Sequence, residues 1–147
     1  MSAPAFDYDA VVRDMPEARV KRGENYAAKG WVSLVECNAS GVLAHVLGEQ
    51  GIAYTVEVSA PDASDARCTC KDFEENRLRC KHVVATVRVV LDADDVTRQD
   101  AAERLPRLLD QLEMEERDDA VALVERARRD PPLLRQLEGE AEDDATT

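Results

Sequence analysis

Cys68-Thr69-Cys70-Lys71-Asp72-Phe73-Glu74-Glu75-Asn76-Arg77-Leu78-Arg79-Cys80-Lys81-His82 holds three of the four cysteines and one of the two histidines in a 147-residue chain. Its two ends have the same form, ligand–x–ligand, with nine residues between Cys70 and Cys80. Two donors separated by one residue lie on the same side of an extended segment, so each pair can reach one ion, and the intervening loop returns the chain. Zinc favours four tetrahedral sulfur and nitrogen donors. The natural reading is one zinc ion held by three thiolates and one imidazole. Four protein ligands fill that sphere and leave no place for water or substrate, which makes the site structural. Lys71, Arg79 and Lys81 stand beside the ligands and offset the excess thiolate charge. The polar run after Lys71 reads as an exposed loop, with Phe73 folded back over the site.

Two other chemistries fit less well. A redox pair would want Cys-x-x-Cys in a βαβ setting, and Cys68-Thr69-Cys70 is not that. A zinc deaminase would want His-x-Glu with Pro-Cys-x-x-Cys, and neither motif is present. Crowded cysteines beside a histidine are metal ligands more readily than a disulfide framework.

Working outward, Val83-Val84-Ala85-Thr86-Val87-Arg88-Val89-Val90-Leu91 admits two readings. Its β-branched residues favour a strand. Yet Val83, Val84, Val87, Val90 and Leu91 share one face of a helix. Before the cysteines, Pro16 to Lys29 reads as a helix, with Pro16 suited to its start and Gly30 to its stop. Three strand-like runs follow over residues 31–37, 42–47 and 52–58, joined by Asn38-Ala39-Ser40-Gly41 and Gly48-Glu49-Gln50-Gly51. Short Gly- and Asn-bearing turns indicate an antiparallel meander. Trp31 opens the first strand and caps the core, Cys37 is a small buried residue, and His45 is read as a solvent-facing strand residue.

After Asp92 a linker is expected over 92–104. A helical region is expected over 105–138, with Leu105, Leu108, Leu109 and Leu112 as its first stripe and Pro106 near its start. A second helix is expected over about 117–129. Pro131-Pro132 ends it, and Leu133, Leu134 and Leu137 make a short third piece. Residues 139–147 read as an acidic disordered tail.

The pattern Cys-x-Cys, nine residues, Cys-x-His, with Ala66-Arg67 before it and Val83-Val84-Ala85 after it, resembles the SWIM-type zinc finger. The segment Arg22-Gly23-Glu24-Asn25-Tyr26-Ala27-Ala28-Lys29-Gly30 is similar to the lead-in of small bacterial and archaeal SWIM proteins. The resemblance implies a ββα arrangement over 55–91, with Cys68 and Cys70 on a hairpin and Cys80 and His82 at the start of a helix. It thereby favours helix for 83–91. It also implies the ligand set Cys68, Cys70, Cys80 and His82, with one structural Zn2+. The expected fold is therefore α+β: an N-terminal helix, an antiparallel meander and the finger within residues 1–91, then the helical C-terminal region.

Composition bounds the partners. Net charge is −12, which repels nucleic acid and anionic membrane on average. Asp-Asp pairs at 94–95, 118–119 and 143–144, and the scarcity of Lys beside Arg, also fit a high-salt habitat. Around the finger the balance reverses locally, and Arg67, Lys71, Arg77, Arg79 and Lys81 form a candidate contact set for DNA or a partner. The expected role is an interaction module with a protein partner, such as a helicase-type ATPase in nucleic-acid processing, and with DNA as a second candidate. A purely structural or adaptor subunit is the alternative. No nucleophile–base pair or phosphate loop marks an enzyme, and no small-molecule substrate is expected. The chain has no apolar run near the ~20 residues that span a bilayer and no basic-then-apolar leader, so a cytoplasmic protein is expected.

Overall fold

The structure is a computed structural model that describes residues 4–48, 50–71, 73, 80–114 and 116–146, with side chains described as far as residue 140. A short helix, α1 (Tyr8–Val12), precedes α2 (Glu17–Ala28). The meander follows as β1 (Val32–Asn38), β2 (Gly41–Leu47) and β3 (Ala53–Ser59), and a two-residue strand, β4 (Arg67–Cys68), completes the sheet. The helices α3 (Lys81–Asp92), α4 (Asp95–Gln111), α5 (Arg117–Arg128) and α6 (Pro131–Thr146) make up the rest. Strand order is β1-β2-β3-β4, antiparallel throughout.

Both faces of the sheet are covered. Val42, Val46, Val56 and Val58 pack on one side with Tyr26 of α2 and Val83, Val87 and Val90 of α3. Val35 and Leu43 pack on the other with Leu105 and Leu108 of α4, Val124 of α5, and Leu134 and Leu137 of α6. The chain is thus a helix–sheet–helix sandwich. Burial of six consecutive residues from Gly41 to Val46 follows from that covering, since a strand hidden on both faces carries a near-continuous apolar run.

The edge strand serves both cores through a bulge. Leu34 pairs with Ala44 and Glu36 with Leu43, so Val35 is the extra residue. Leu34 packs on the finger side and Val35 on the C-terminal side. A bulge of this kind bends its strand locally.

The expected helix at 16–29, the three strands, the hairpin strand carrying Cys68 and the helical reading of 83–91 agree with these elements, and α1 is additional to them. Several other expectations are corrected. The linker at 92–104 is in fact a tight corner followed by helix. The Asp94 carboxylate caps α4 by accepting from Thr97 N at 2.8 Å. Arg98 meanwhile donates to the terminal carbonyls of Val90 (3.2 Å) and Ala93 (2.5 Å). Capped ends of this sort join two helices directly. Pro106 consequently lies inside α4, not near its start. The tail expected to be disordered from 139 is helical to Thr146, continuing the short third piece. Leu134 and Leu137 anchor its first turns on the sheet, and the Glu- and Ala-rich sequence beyond them favours helix.

The C-terminal layer is also tied down by charge. Arg104 donates to Glu138 at 2.7 and 2.8 Å and to Ser33 Oγ and the Leu34 carbonyl at 2.7 Å. Arg128 reaches Glu36 on β1 and Arg129 reaches Glu57 on β3, both at 2.7 Å.

Candidate metal centre

β4 exists because Cys68 lies opposite Val56 and Arg67 opposite Glu57 in the ladder with β3. Thr69 extends the pairing: its N–H donates to the Thr55 carbonyl and its Oγ1 accepts from Thr55 N. That register turns Cys68 toward the α3 side of the sheet. Cys70 follows one residue past Thr69. On the other flank, Cys80 is the N-cap residue of α3, in extended conformation. Its carbonyl accepts from Val83 N and Val84 N. His82, second in the helix, then stands over the same spot as Cys80.

The donor atoms of Cys68, Cys70, Cys80 and His82 all lie within 4.8 Å of one another, and all four residues are buried. His82 presents Nδ1, 3.6 Å from the Cys68 sulfur and 3.7 Å from that of Cys80. A tetrahedral zinc with sulfur at ~2.3 Å and nitrogen at ~2.0–2.1 Å sets those two ligand atoms about 3.5–3.6 Å apart. The observed spacing therefore fits the ion. Backbone N–H groups complete the polarity of the site: Cys70 N donates to the Cys68 sulfur and Phe73 N to the Cys70 sulfur, each at 3.4 Å. The positive end of α3 points the same way.

Protons alone leave this cluster frustrated. Hydrogen bonds from Cys68 and Cys80 hold the Cys70 thiol far below the ordinary range. Hydrogen bonding to Cys70 and Cys80, reinforced by burial, pushes Cys68 far up. At Cys80 the bond with Cys68 lowers the thiol, but Cys70 and burial outweigh it and raise it to about 12. One thiolate held between two thiols is the result. A divalent cation is what allows all three sulfurs to ionise together, with release of their protons.

The aromatic surroundings are tight. The Tyr54 ring lies 4.8 Å and the Tyr26 ring 5.6 Å from the His82 ring, centroid to centroid. Tyr26 also meets Trp31 edge-on at 4.9 Å, which places Trp31 at the rim of this core, as expected. His82 Nε2 and the Tyr26 hydroxyl are both buried without a hydrogen-bond partner among the described residues. Gly23 lets α2 approach: a Cβ there would stand 2.6 Å from Val84 Cβ and 2.7 Å from the Lys81 carbonyl oxygen. Tyr26, Tyr54 and Gly23 were not singled out from the site pattern; Gly23 and Tyr26 do lie in the lead-in segment.

Arg67 is exposed, with Asp65 at 4.0 Å. Lys71 is exposed. Lys81 lies with its ammonium 5.2 Å from the Tyr26 ring centroid. Arg77 and Arg79 lie outside the described residues. Phe73 is half-buried against the core, where it was expected. Cys37 is buried. His45 is a correction: it is 7% exposed, with Nε2 2.8 Å from the Arg128 carbonyl oxygen. That carbonyl can only accept, so Nε2 carries the proton. The C-terminal helices cover the strand face that was read as open to solvent.

Residues 54–97 match the family described as SWIM zinc finger. No curated protein and no solved structure matches the chain. Among the described residues no helix is long and apolar enough to cross a membrane.

Proposed function

With a SWIM zinc finger at residues 54–97, we propose that the chain holds one zinc ion through Cys68, Cys70, Cys80 and His82 and uses it structurally, as the framework of an interaction module. The observation that carries this reading is the closed donor set: four buried ligand atoms within 4.8 Å, spaced for a tetrahedron. Four protein ligands leave no coordination site for substrate, so we assign the centre no catalytic step. A cytoplasmic setting suits the reading, because reducing conditions keep such thiols available.

A protein is the favoured partner. Net charge of −12 opposes a polyanion, since affinity for nucleic acid rests on neutralising phosphates. A role beside a nucleic-acid-processing assembly, such as one built on a helicase-type ATPase, stays compatible with that choice. DNA contact is the second reading, favoured by the cationic set Arg67, Lys71, Arg77, Arg79 and Lys81 around the finger.

The test is metal content followed by metal removal. Purified protein should carry one zinc per chain. Cys80→Ser should lose it, with faster amide exchange over 66–92 than over α4–α6. Structural zinc in small fingers is worth ~10–16 kcal/mol, so a strong chelator should melt the same region. Fully folded protein without zinc would refute the assignment. DNA binding that weakens steeply with salt, and again in Arg67→Ala/Lys71→Ala, would move the partner assignment to DNA.

A further inference from the structure

Two buried polar atoms beside the metal centre are left over once the ligands are assigned. His82 presents Nδ1 to the sulfurs, so in the neutral ring Nε2 carries the proton and must donate it. That atom is buried with no hydrogen-bond partner, and the Tyr26 hydroxyl is in the same condition. The two rings lie 5.6 Å apart, centroid to centroid, inclined at 60°. Among the described residues one further buried side-chain atom lacks a partner, Arg98 Nε, and its guanidinium is tied to the carbonyls of Val90 and Ala93. We propose that the Tyr26 hydroxyl is the acceptor for His82 Nε2–H, through one trapped water, which makes Tyr26 a positioning residue of the zinc site. The proposal rests on the zinc assignment, and its test separates the two.

Tyr26 is the acceptor that the surroundings leave. The Tyr54 ring covers the imidazole at 4.8 Å with the planes 33° apart, an arrangement that stacks on the ring and does not take its in-plane N–H. Tyr26 is held in place from several sides. Trp31 meets it edge-on at 4.9 Å, and the Lys81 ammonium stands 5.2 Å from its centroid. Gly23, three residues earlier, lets α2 close on the first turn of α3. Tyr26 is 3% and His82 4% exposed, so bulk water does not serve either polar atom. A bare buried donor or acceptor carries the full cost of its desolvation, and a single enclosed water satisfies both at once. Metal-bound histidines donate their second N–H in this way, which fixes the tautomer and the ring orientation and strengthens the ligand. A phenylalanine ring at position 26 would fill the same space but could accept nothing.

Zinc affinity and the imidazole N–H signal of His82 test this in the full-length, zinc-loaded protein. Affinity is read by competition with a chromophoric chelator, and the Nε2–H proton by nuclear magnetic resonance of histidine-labelled protein. Tyr26→Phe keeps the ring and removes only the hydroxyl, so its circular dichroism should be that of wild type. It should bind zinc about 10–100-fold more weakly, and its Nε2–H resonance should move upfield. Tyr8→Phe is the control: it too removes a hydroxyl that bonds α2, at Glu24 over 3.0 Å, and it should match wild type in both readings. Three results would overturn the proposal: wild-type affinity in Tyr26→Phe, an unchanged Nε2–H resonance in that variant whatever its affinity, or equal losses in both variants. The last would mean that the hydroxyls act only through the seating of α2. Each of these leaves the zinc assignment standing, because the zinc content of the wild type is measured first; a zinc-free wild type would overturn that assignment and this proposal with it.

Discussion

The imidazole of His45 is the clearest titratable reporter of the covered sheet. Burial lowers its pKa below the ordinary 6.5, only partly opposed by its bond to the Arg128 carbonyl. In the unfolded chain it takes up a proton below about 6.5, while in the fold it resists doing so. The unfolded state therefore binds more protons in the window from the depressed value up to 6.5. Its contribution to stability rises with pH across that window and is lost on acidification. His45→Gln should be less stable than wild type at pH 7.5, and the gap should narrow by pH 5.5. Urea midpoints of the two proteins at both pH values check this; a constant gap would mean that His45 does not titrate differently on folding. Sequence reasoning put His45 in solvent because alternation along an isolated strand allows it. The signal that says otherwise is the neighbouring run Val42-Leu43-Ala44, apolar at consecutive positions, which fits a strand buried on both faces.

At the scale of elements, the contact between α2 and α3 decides how well the metal centre is seated. Gly23 faces the first turn of α3, where Cys80 and His82 are presented, and α3 is packed with valines that cannot give way. Gly23→Ala would place its methyl 2.6 Å from Val84 Cβ, so the helices must separate. Overpacking of this sort costs ~1–3 kcal/mol, against a small gain in helix propensity. Thermal melts of zinc-replete protein should fall by several degrees, and zinc affinity should fall with them. An unchanged melt would show that the helices have slack. The helices and strands themselves were legible from apolar spacing and turn residues. Their ends and joints were less so. Residues 95–104 are mostly polar, so their helix is visible only through the Asp94 cap and the buried spacing of Ala101, Leu105 and Leu108. The four donors that the structure brings together were legible as a group, because donor–x–donor pairs are a local pattern. The aromatic packing around His82 brings together Tyr26, Tyr54 and His82 from three separate segments, which no local pattern reveals.

For the whole molecule, the C-terminal helices are a layer of the fold, not an appendage to the finger. They cover Val35 and Leu43, whose exposures are 0% and 2%, and each such side chain is worth ~1.5–3 kcal/mol in burial. A fragment ending at residue 92 would keep all four donors yet expose that face. It should associate or lack a cooperative melt even when zinc is supplied, as light scattering and calorimetry would show; a monomeric, cooperatively melting fragment would contradict the two-layer account. The sandwich was hidden in the sequence because each half looks self-sufficient: a finger with its own metal, and helices with their own leucine stripe. The shared sheet also fixes where chain length can change. In β1, Ser33 and Glu36 bond to the C-terminal layer and Leu34 packs on the finger side. Removing Val35 would restore plain alternation without reversing any of these three. Losing a residue elsewhere in the strand would turn one flank of it over. Val35 is itself fully buried in the C-terminal core, so its loss would keep the sidedness of both layers yet leave a cavity beneath the helices that cover them.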